Sequence, residues 1–306
     1  NHYYVITRLD EAVQPAPDSS NSDPMFVKAE FPLQKHQERE FDDFALQPLL
    51  PNKLSQLGAG TAWGDIDGDG DDDLFLGGAA GQIAELRLNQ GGGQFEAQWV
   101  DALRDDKDYE DMGAVFFDAD TDGDLDLYVV SGSYEFAKDA AELQDRLYIN
   151  DGKGGLTKAS PGVIPARVNS GSVVAAADFD RDGDLDLFVG GRVIPGEYPL
   201  SPGSALLKND GGKFSDIASD FPGLRESGLV TSALWSDANG DGWVDLLVTH
   251  EWGPVKLFLN REGTLAEETS AAGLDARSGW WNSIAGADID GDGDIDYAVG
   301  NQGLNS

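Results

Sequence analysis

Cysteine is absent from the 306 residues. That excludes disulfides and thiolate metal sites. Histidine is scarce too: His2, His36 and His250 are the three present. None stands in an HExxH pattern, and neither a GxSxG nor a P-loop pattern occurs, so the familiar hydrolase and nucleotide-binding signatures are missing. Basic residues number 21 against 56 acidic ones, for a net charge of −35. Binding to phosphate backbones needs a basic footprint, so a nucleic-acid partner is not expected. No apolar run approaches the roughly 18 residues that cross a bilayer, so no membrane span is expected. The chain starts at Asn1 with no signal-peptide pattern, and we expect a mature or trimmed piece of a longer exported protein.

What the sequence does have is aspartate at regular spacing. Asp65, Asp67, Asp69 and Asp73 stand at positions one, three, five and nine of one short loop, with Gly70 at position six. The arrangement recurs with Asp118, Asp120, Asp122 and Asp126, then with Asp178, Asp180, Asp182 and Asp186. A fourth copy holds Asp237, Asn239, Asp241 and Asp245, and a fifth Asp288, Asp290, Asp292 and Asp296. Three or four carboxylates gathered within about 5 Å repel by on the order of 3 kcal/mol per pair at an effective dielectric of about 20. A bound cation reverses the sign of that term, and the hard ion suited to many oxygen ligands is Ca2+. About five Ca2+ ions are therefore expected, in a structural role. A unit recurring roughly every 50 to 60 residues is the mark of a propeller or solenoid array.

Residues 1–58 precede the repeats. Within them, 2–9 and 25–31 read as strands, the Pro- and Ser-rich 10–24 as a loop, and the charged Lys35–Phe44 stretch as a short helix. Residues 59–306 carry the repeats, the last one stopping after its second strand. In each, an apolar strand enters the acidic loop, a second leaves it, a third ends in Asn and a Gly-rich turn, and a weaker fourth follows. Position twelve, which must be acidic in helical EF-hand-type loops, is Leu76, Val129, Val189, Val248 and Val299. The expected fold is therefore all-β, a β-propeller of four-stranded blades with a calcium loop between strands one and two.

The loops and their flanking strands resemble the FG-GAP/VCBS repeats of integrin-α-type propellers. The phrases GTAWGDIDGDGDDDLFLGG (60–78) and DFDRDGDLDLFVGG (178–191) are similar to bacterial exported VCBS-repeat proteins of the ASPIC/UnbV-containing kind. The resemblance implies one calcium per loop, with a backbone carbonyl at position seven completing the ligands: Asp71, Asp124, Asp184, Trp243 and Asp294. Neutral Asn239 implies a weaker fourth site. The same resemblance implies seven blades, against five loops here. Either further blades lie beyond this piece, or the N-terminal strands complete the last blade of a smaller ring.

Because strand one runs towards the metal loop and strand two runs back, the segments outside them share the opposite face. They contain Tyr134, Arg192, His250, Glu251, Trp252, Trp280 and Trp281. Exposed aromatics beside polar groups suit a binding face. The bland alternative is that these tryptophans fill the spaces between blades. Trp63 and Trp235, inside first strands, are expected in the core. The expected function is an extracytoplasmic recognition or scaffold module binding a protein or glycan on that face. The alternatives are a non-catalytic or catalytic part of a polysaccharide-acting enzyme, for which Glu251→Gln is the control, or a purely structural surface spacer.

Overall fold

The computed structural model describes residues 33–303. The strands expected at 2–9 and 25–31 lie outside them. Compact packing extends back to His36, so that His36–Ser306 form one unit. The helix expected over Lys35–Phe44 is a single turn instead, α1 (Asp43–Leu46). Residues 35–40 offer no apolar stripe for a helix to bury. Asp42 starts the turn by accepting the Ala45 N–H at 3.2 Å on Oδ1. The buried Asp43 carboxylate ties it down by accepting the N–H groups of Leu54 and Ser55 at 2.6 and 2.9 Å.

From residue 61 onward the chain builds antiparallel four-stranded sheets, each a meander in chain order. The first is β1 (Thr61–Gly64), β2 (Asp73–Leu76), β3 (Glu85–Asn89) and β4 (Phe95–Gln98). A short helix, α2 (Asp101–Asp105), leads to β5 (Asp111–Phe117), β6 (Asp126–Ser131), β7 (Arg146–Ile149) and β8 (Thr157–Lys158). The third sheet is β9 (Gly171–Ala177), β10 (Asp186–Gly191), β11 (Ala205–Asn209) and β12 (Phe214–Asp216). The fourth is β13 (Leu229–Ser236), β14 (Asp245–Gly253), β15 (Lys256–Asn260) and β16 (Leu265–Glu267). A fifth pair, β17 (Gly279–Ala287) and β18 (Asp296–Asn301), follows, and the far end of β14 pairs with β17 at Glu251 and Trp280. These are propeller blades: the first strands of successive sheets lie side by side, β1 with β5, β5 with β9, β9 with β13 and β13 with β17.

Small residues make that approach feasible. A Cβ on Gly60 would stand 2.7 Å from the Gly113 backbone, and one on Gly113 would stand 2.8 Å from the Ser172 carbonyl. Second strands such as β6 and β10 are buried along their whole length, because each is sandwiched between neighbouring sheets. The core is a series of inter-blade layers. Phe75, Leu86, Phe116 and Leu127 pack between blades one and two; Phe117, Val130, Leu187 and Leu207 between two and three; Phe179, Phe188, Leu246 and Phe258 between three and four.

This layering corrects the expectation for Trp63. Trp235 stands two residues before its loop and stacks on Phe179 of the preceding blade, with ring centroids 6.1 Å apart. Trp63 occupies the same place in the first blade but has no earlier blade beside it among the described residues, so it is 57% exposed. Ile289, at position two of the fifth loop, is likewise 71% exposed, whereas its counterparts Ile66 and Phe179 are buried beneath the next blade.

Candidate metal centres and the opposite face

Each acidic loop is shaped by its own carboxylates. Asp65 accepts the N–H groups of Gly68 (2.8 Å) and Gly70 (2.9 Å), folding the loop around position one. Position six is left-handed in all five copies, with φ between +89° and +102°, which glycine adopts without a Cβ penalty. The last aspartate does a different job. Asp73, Asp126 and Asp245 are fully buried, and each accepts two backbone N–H groups. One comes from position two of its own loop (Ile66, Ala119, Ala238), the other from the asparagine that ends strand three (Asn89, Asn150, Asn260), all at 2.7–2.9 Å. Position nine thus fastens the loop to its own sheet.

The loops fit a hard divalent cation. One carboxylate oxygen from each of Asp65, Asp67 and Asp73 lies within 4.8 Å of the others; so do those of Asp118, Asp120 and Asp122, of Asp178, Asp180 and Asp186, and of Asp288, Asp290 and Asp292. In the second and third loops the Oδ1 atoms of Asp118 and Asp178 are buried without a hydrogen-bond partner. Such an anionic oxygen is costly unless a cation meets it. Among the described residues the fourth loop forms no comparable three-carboxylate group, because Asn239 replaces the acid at position three. Its amide is engaged within the loop, Nδ2 donating to Asp241 at 2.9 Å. The third loop has a cation of its own: the Lys208 ammonium contacts both Asp180 and Asp182.

Burial raises the pKa of position nine in the first four loops, Asp73, Asp126, Asp186 and Asp245. It pushes Asp186 up to about 7 and Asp126 up to about 6, against the lowering effect of their backbone hydrogen bonds. An aspartate in the unfolded chain titrates near about 3.9. Between roughly pH 4 and pH 7 the calcium-free folded protein therefore holds protons that the unfolded chain has released, and its stability falls as pH rises. Calcium-free protein is expected to melt higher at about pH 5 than at about pH 7, while calcium-loaded protein shows the reverse, since protons compete for the ligands. Paired thermal melts at the two pH values check this; a calcium-free protein that gains stability towards neutrality contradicts it.

The asparagines at the ends of the third strands carry more than a hairpin signal. Asn150 Nδ2 donates to the Leu125 carbonyl in its own loop and, at 2.7 Å, to the Ile66 carbonyl in the loop of the preceding blade. Asn260 does the same with Val244 and Phe179, and Asn209 reaches Ala119 at 2.8 Å. The first, second and third acidic loops are thereby each tied to the next blade. The spacing of N-D-G and N-R-E-G phrases marks these residues in the sequence, but their inter-blade partners are not legible there.

On the opposite face most of the singled-out residues are interior. Tyr134 is buried with its hydroxyl on Gln47, and Trp280 is buried beside Trp252, ring centroids 4.8 Å apart. His250 is buried with Nδ1 3.0 Å from the Glu251 carbonyl, and burial lowers its pKa. Glu251 is paired not with His250 but with Arg192, and it also accepts the Tyr198 hydroxyl at 3.0 Å. Trp281 is partly buried and donates its indole N–H to the Gly253 carbonyl at 2.9 Å. Trp252 is the one presented to solvent: it is 53% exposed, sits at φ +64°, and donates its indole N–H to Tyr198.

A family model of FG-GAP-like repeats matches residues 56–129, 137–189 and 237–299, more than half of the chain. In sequence, the chain is 25% identical over 281 residues to cartilage acidic protein 1 of Mus musculus, covering 84% of this chain and 42% of that protein. It is 26% identical over 279 residues to cartilage acidic protein 1 of Homo sapiens, covering 84% and 41%. The chain thus spans about two-fifths of the length of these curated relatives. Among solved structures, the V. cholerae biofilm matrix protein Bap1 matches over 82% of this chain and 36% of that one, at 18% identity and a TM-score of 0.34.

Proposed function

Because this chain belongs to the FG-GAP-like repeat family, we propose that it is a calcium-stabilised recognition or scaffold module acting outside the cytosol. It holds a protein or glycan partner on the face away from its acidic loops. Low-affinity calcium loops of this composition fill in extracellular, roughly millimolar Ca2+. The likeness of the longer loop phrases to exported bacterial VCBS-repeat proteins supports the same location. The parent protein is longer than this chain, in keeping with the length of its relatives.

The observation that carries the binding face is Trp252. A large aromatic side chain, half exposed, is held at a left-handed backbone position that disfavours bulky residues. Strain of that kind clusters at functional sites. The ring is fixed from behind by Tyr198 and flanked by Trp280. Rigid exposed aromatics are the residues on which binding energy concentrates, and they stack equally well on a sugar ring.

The test is Trp252→Ala, screened with the wild type against a glycan array and a panel of secreted proteins in calcium. Loss of at least about 2 kcal/mol of binding is expected, roughly thirtyfold, with the melting temperature unchanged. Trp281→Ala, whose indole is tied to the fold, is expected to cost stability as well. A Trp252 variant that binds as the wild type does, or a wild type that binds nothing in either screen, rejects the recognition reading and leaves the spacer.

A further inference from the structure

We infer that the face away from the acidic loops carries a separate metal site, built from His36, Glu38 and Glu110 and suited to a transition-type divalent ion such as Zn2+. One ligand atom from each of the three lies within 4.8 Å of the others. His36 and Glu38 come from the extended segment that precedes α1, and Glu110 from the residue just before β5. They meet at the end of β5 opposite its acidic loop.

Two features distinguish this cluster from a solvated group of charges. Glu110 is 1% exposed; its Oε2 accepts the Ala80 N–H at 2.7 Å, while its Oε1 is buried without a hydrogen-bond partner. His36 Nε2 lies 2.8 Å from Glu38 Oε1, and its Nδ1 is also buried and unpartnered. An unmatched carboxylate oxygen and an unmatched ring nitrogen in one cluster are what a bound cation would satisfy. The Glu135 side chain stands beside them: Arg39 holds one of its oxygens at 2.7 Å, while Oε2 is buried and unpartnered. Its charge raises the pKa of Glu110, and Glu38 in turn raises that of Glu135.

The donor set separates this site chemically from the aspartate loops. Ca2+ takes oxygen ligands, whereas a ring nitrogen with two or three carboxylate oxygens suits Zn2+. The inference does not rest on the proposed function, because it involves none of the residues of the loops or of Trp252.

The experiment is a zinc titration of the full chain in excess calcium, by competition with a chromophoric zinc chelator. The expected result is one zinc equivalent bound with the loops already filled by calcium. His36→Ala and Glu110→Gln should each weaken it by at least about tenfold, while Asp290→Asn leaves it unchanged. Should Glu110→Gln lower stability, His36→Ala on the extended segment still reports. A second reading uses Co2+: the His36-dependent site should give a visible absorption band that His36→Ala removes. Zinc uptake equal in wild type and His36→Ala, zinc displaced by calcium, or no zinc equivalent at all would each overturn the site.

Discussion

Chelation with EGTA is expected to lower the melting temperature by roughly 5–10 °C for each acidic loop that loses its ion. A ligand held only by the folded state stabilises it by about 2.7 kcal/mol at a hundredfold excess over Kd. In a domain of this size about 1 kcal/mol moves the transition by roughly 2–4 °C. The second and third loops keep buried position-one oxygens with no partner, so removal of the ion leaves anionic oxygens desolvated as well as crowded. Because Asn150, Asn209 and Asn260 tie the first, second and third loops to the blade that follows, loosening one loop should weaken the packing of two blades.

The loops are not equivalent, and this sharpens the test. The Lys208 ammonium already offsets the charge of the third loop, and Asn239 lightens the fourth. Single substitutions at position three, such as Asp67→Ala and Asp120→Ala, should therefore abolish more of the calcium-dependent stabilisation than Asn239→Ala. Calorimetric melts with and without calcium read each difference. A wild-type transition that EGTA leaves in place would show that the carboxylates are stable on their own and remove calcium from the account.

Arg192→Leu is expected to destabilise the protein by about 3–5 kcal/mol, the usual cost of leaving one member of a buried ion pair behind. Arg192 and Glu251 are both interior, 6% and 3% exposed, on successive blades. The pair continues outward, with Glu251 accepting the Tyr198 hydroxyl and Tyr198 accepting the Trp252 indole N–H. Without the guanidinium, the Glu251 carboxylate keeps a single neutral donor in a buried setting. Arg192→Leu combined with Glu251→Leu removes both charges and should restore much of the loss. A melting temperature shift on the order of 10 °C is anticipated for the single variant. If the single variant were as stable as wild type, the pair would be solvated rather than buried. The same geometry makes Glu251 a supporting residue: its oxygens are committed to Arg192 and Tyr198, so Glu251→Gln is expected to act on stability rather than on chemistry.

The acidic loops were legible because every determinant is local. Position-one aspartate folding back on Gly68 and Gly70, the left-handed glycine at position six and the apolar strands on either side all fall within about twelve residues. Strand order within a blade follows for the same reason, since each strand pairs with its sequence neighbour. Burial is a different matter, because it belongs to the contact between blades. Trp63 and Trp235 share a position in the repeat, yet one meets solvent and the other Phe179. Tyr134, Arg192, His250, Glu251 and Trp252 all read as one polar-aromatic face, and packing turned all but Trp252 inward.

The sequence by itself determined the repeat, the all-β blades and the five acidic corners, since these depend on residues close together along the chain. Only the tertiary structure decided which aromatic ring faces water, which carbonyl each third-strand asparagine reaches, and that His36 meets Glu110. Those outcomes are set where segments distant in sequence compete for the same space and the same hydrogen-bond partners, and no local pattern of residues encodes the winner.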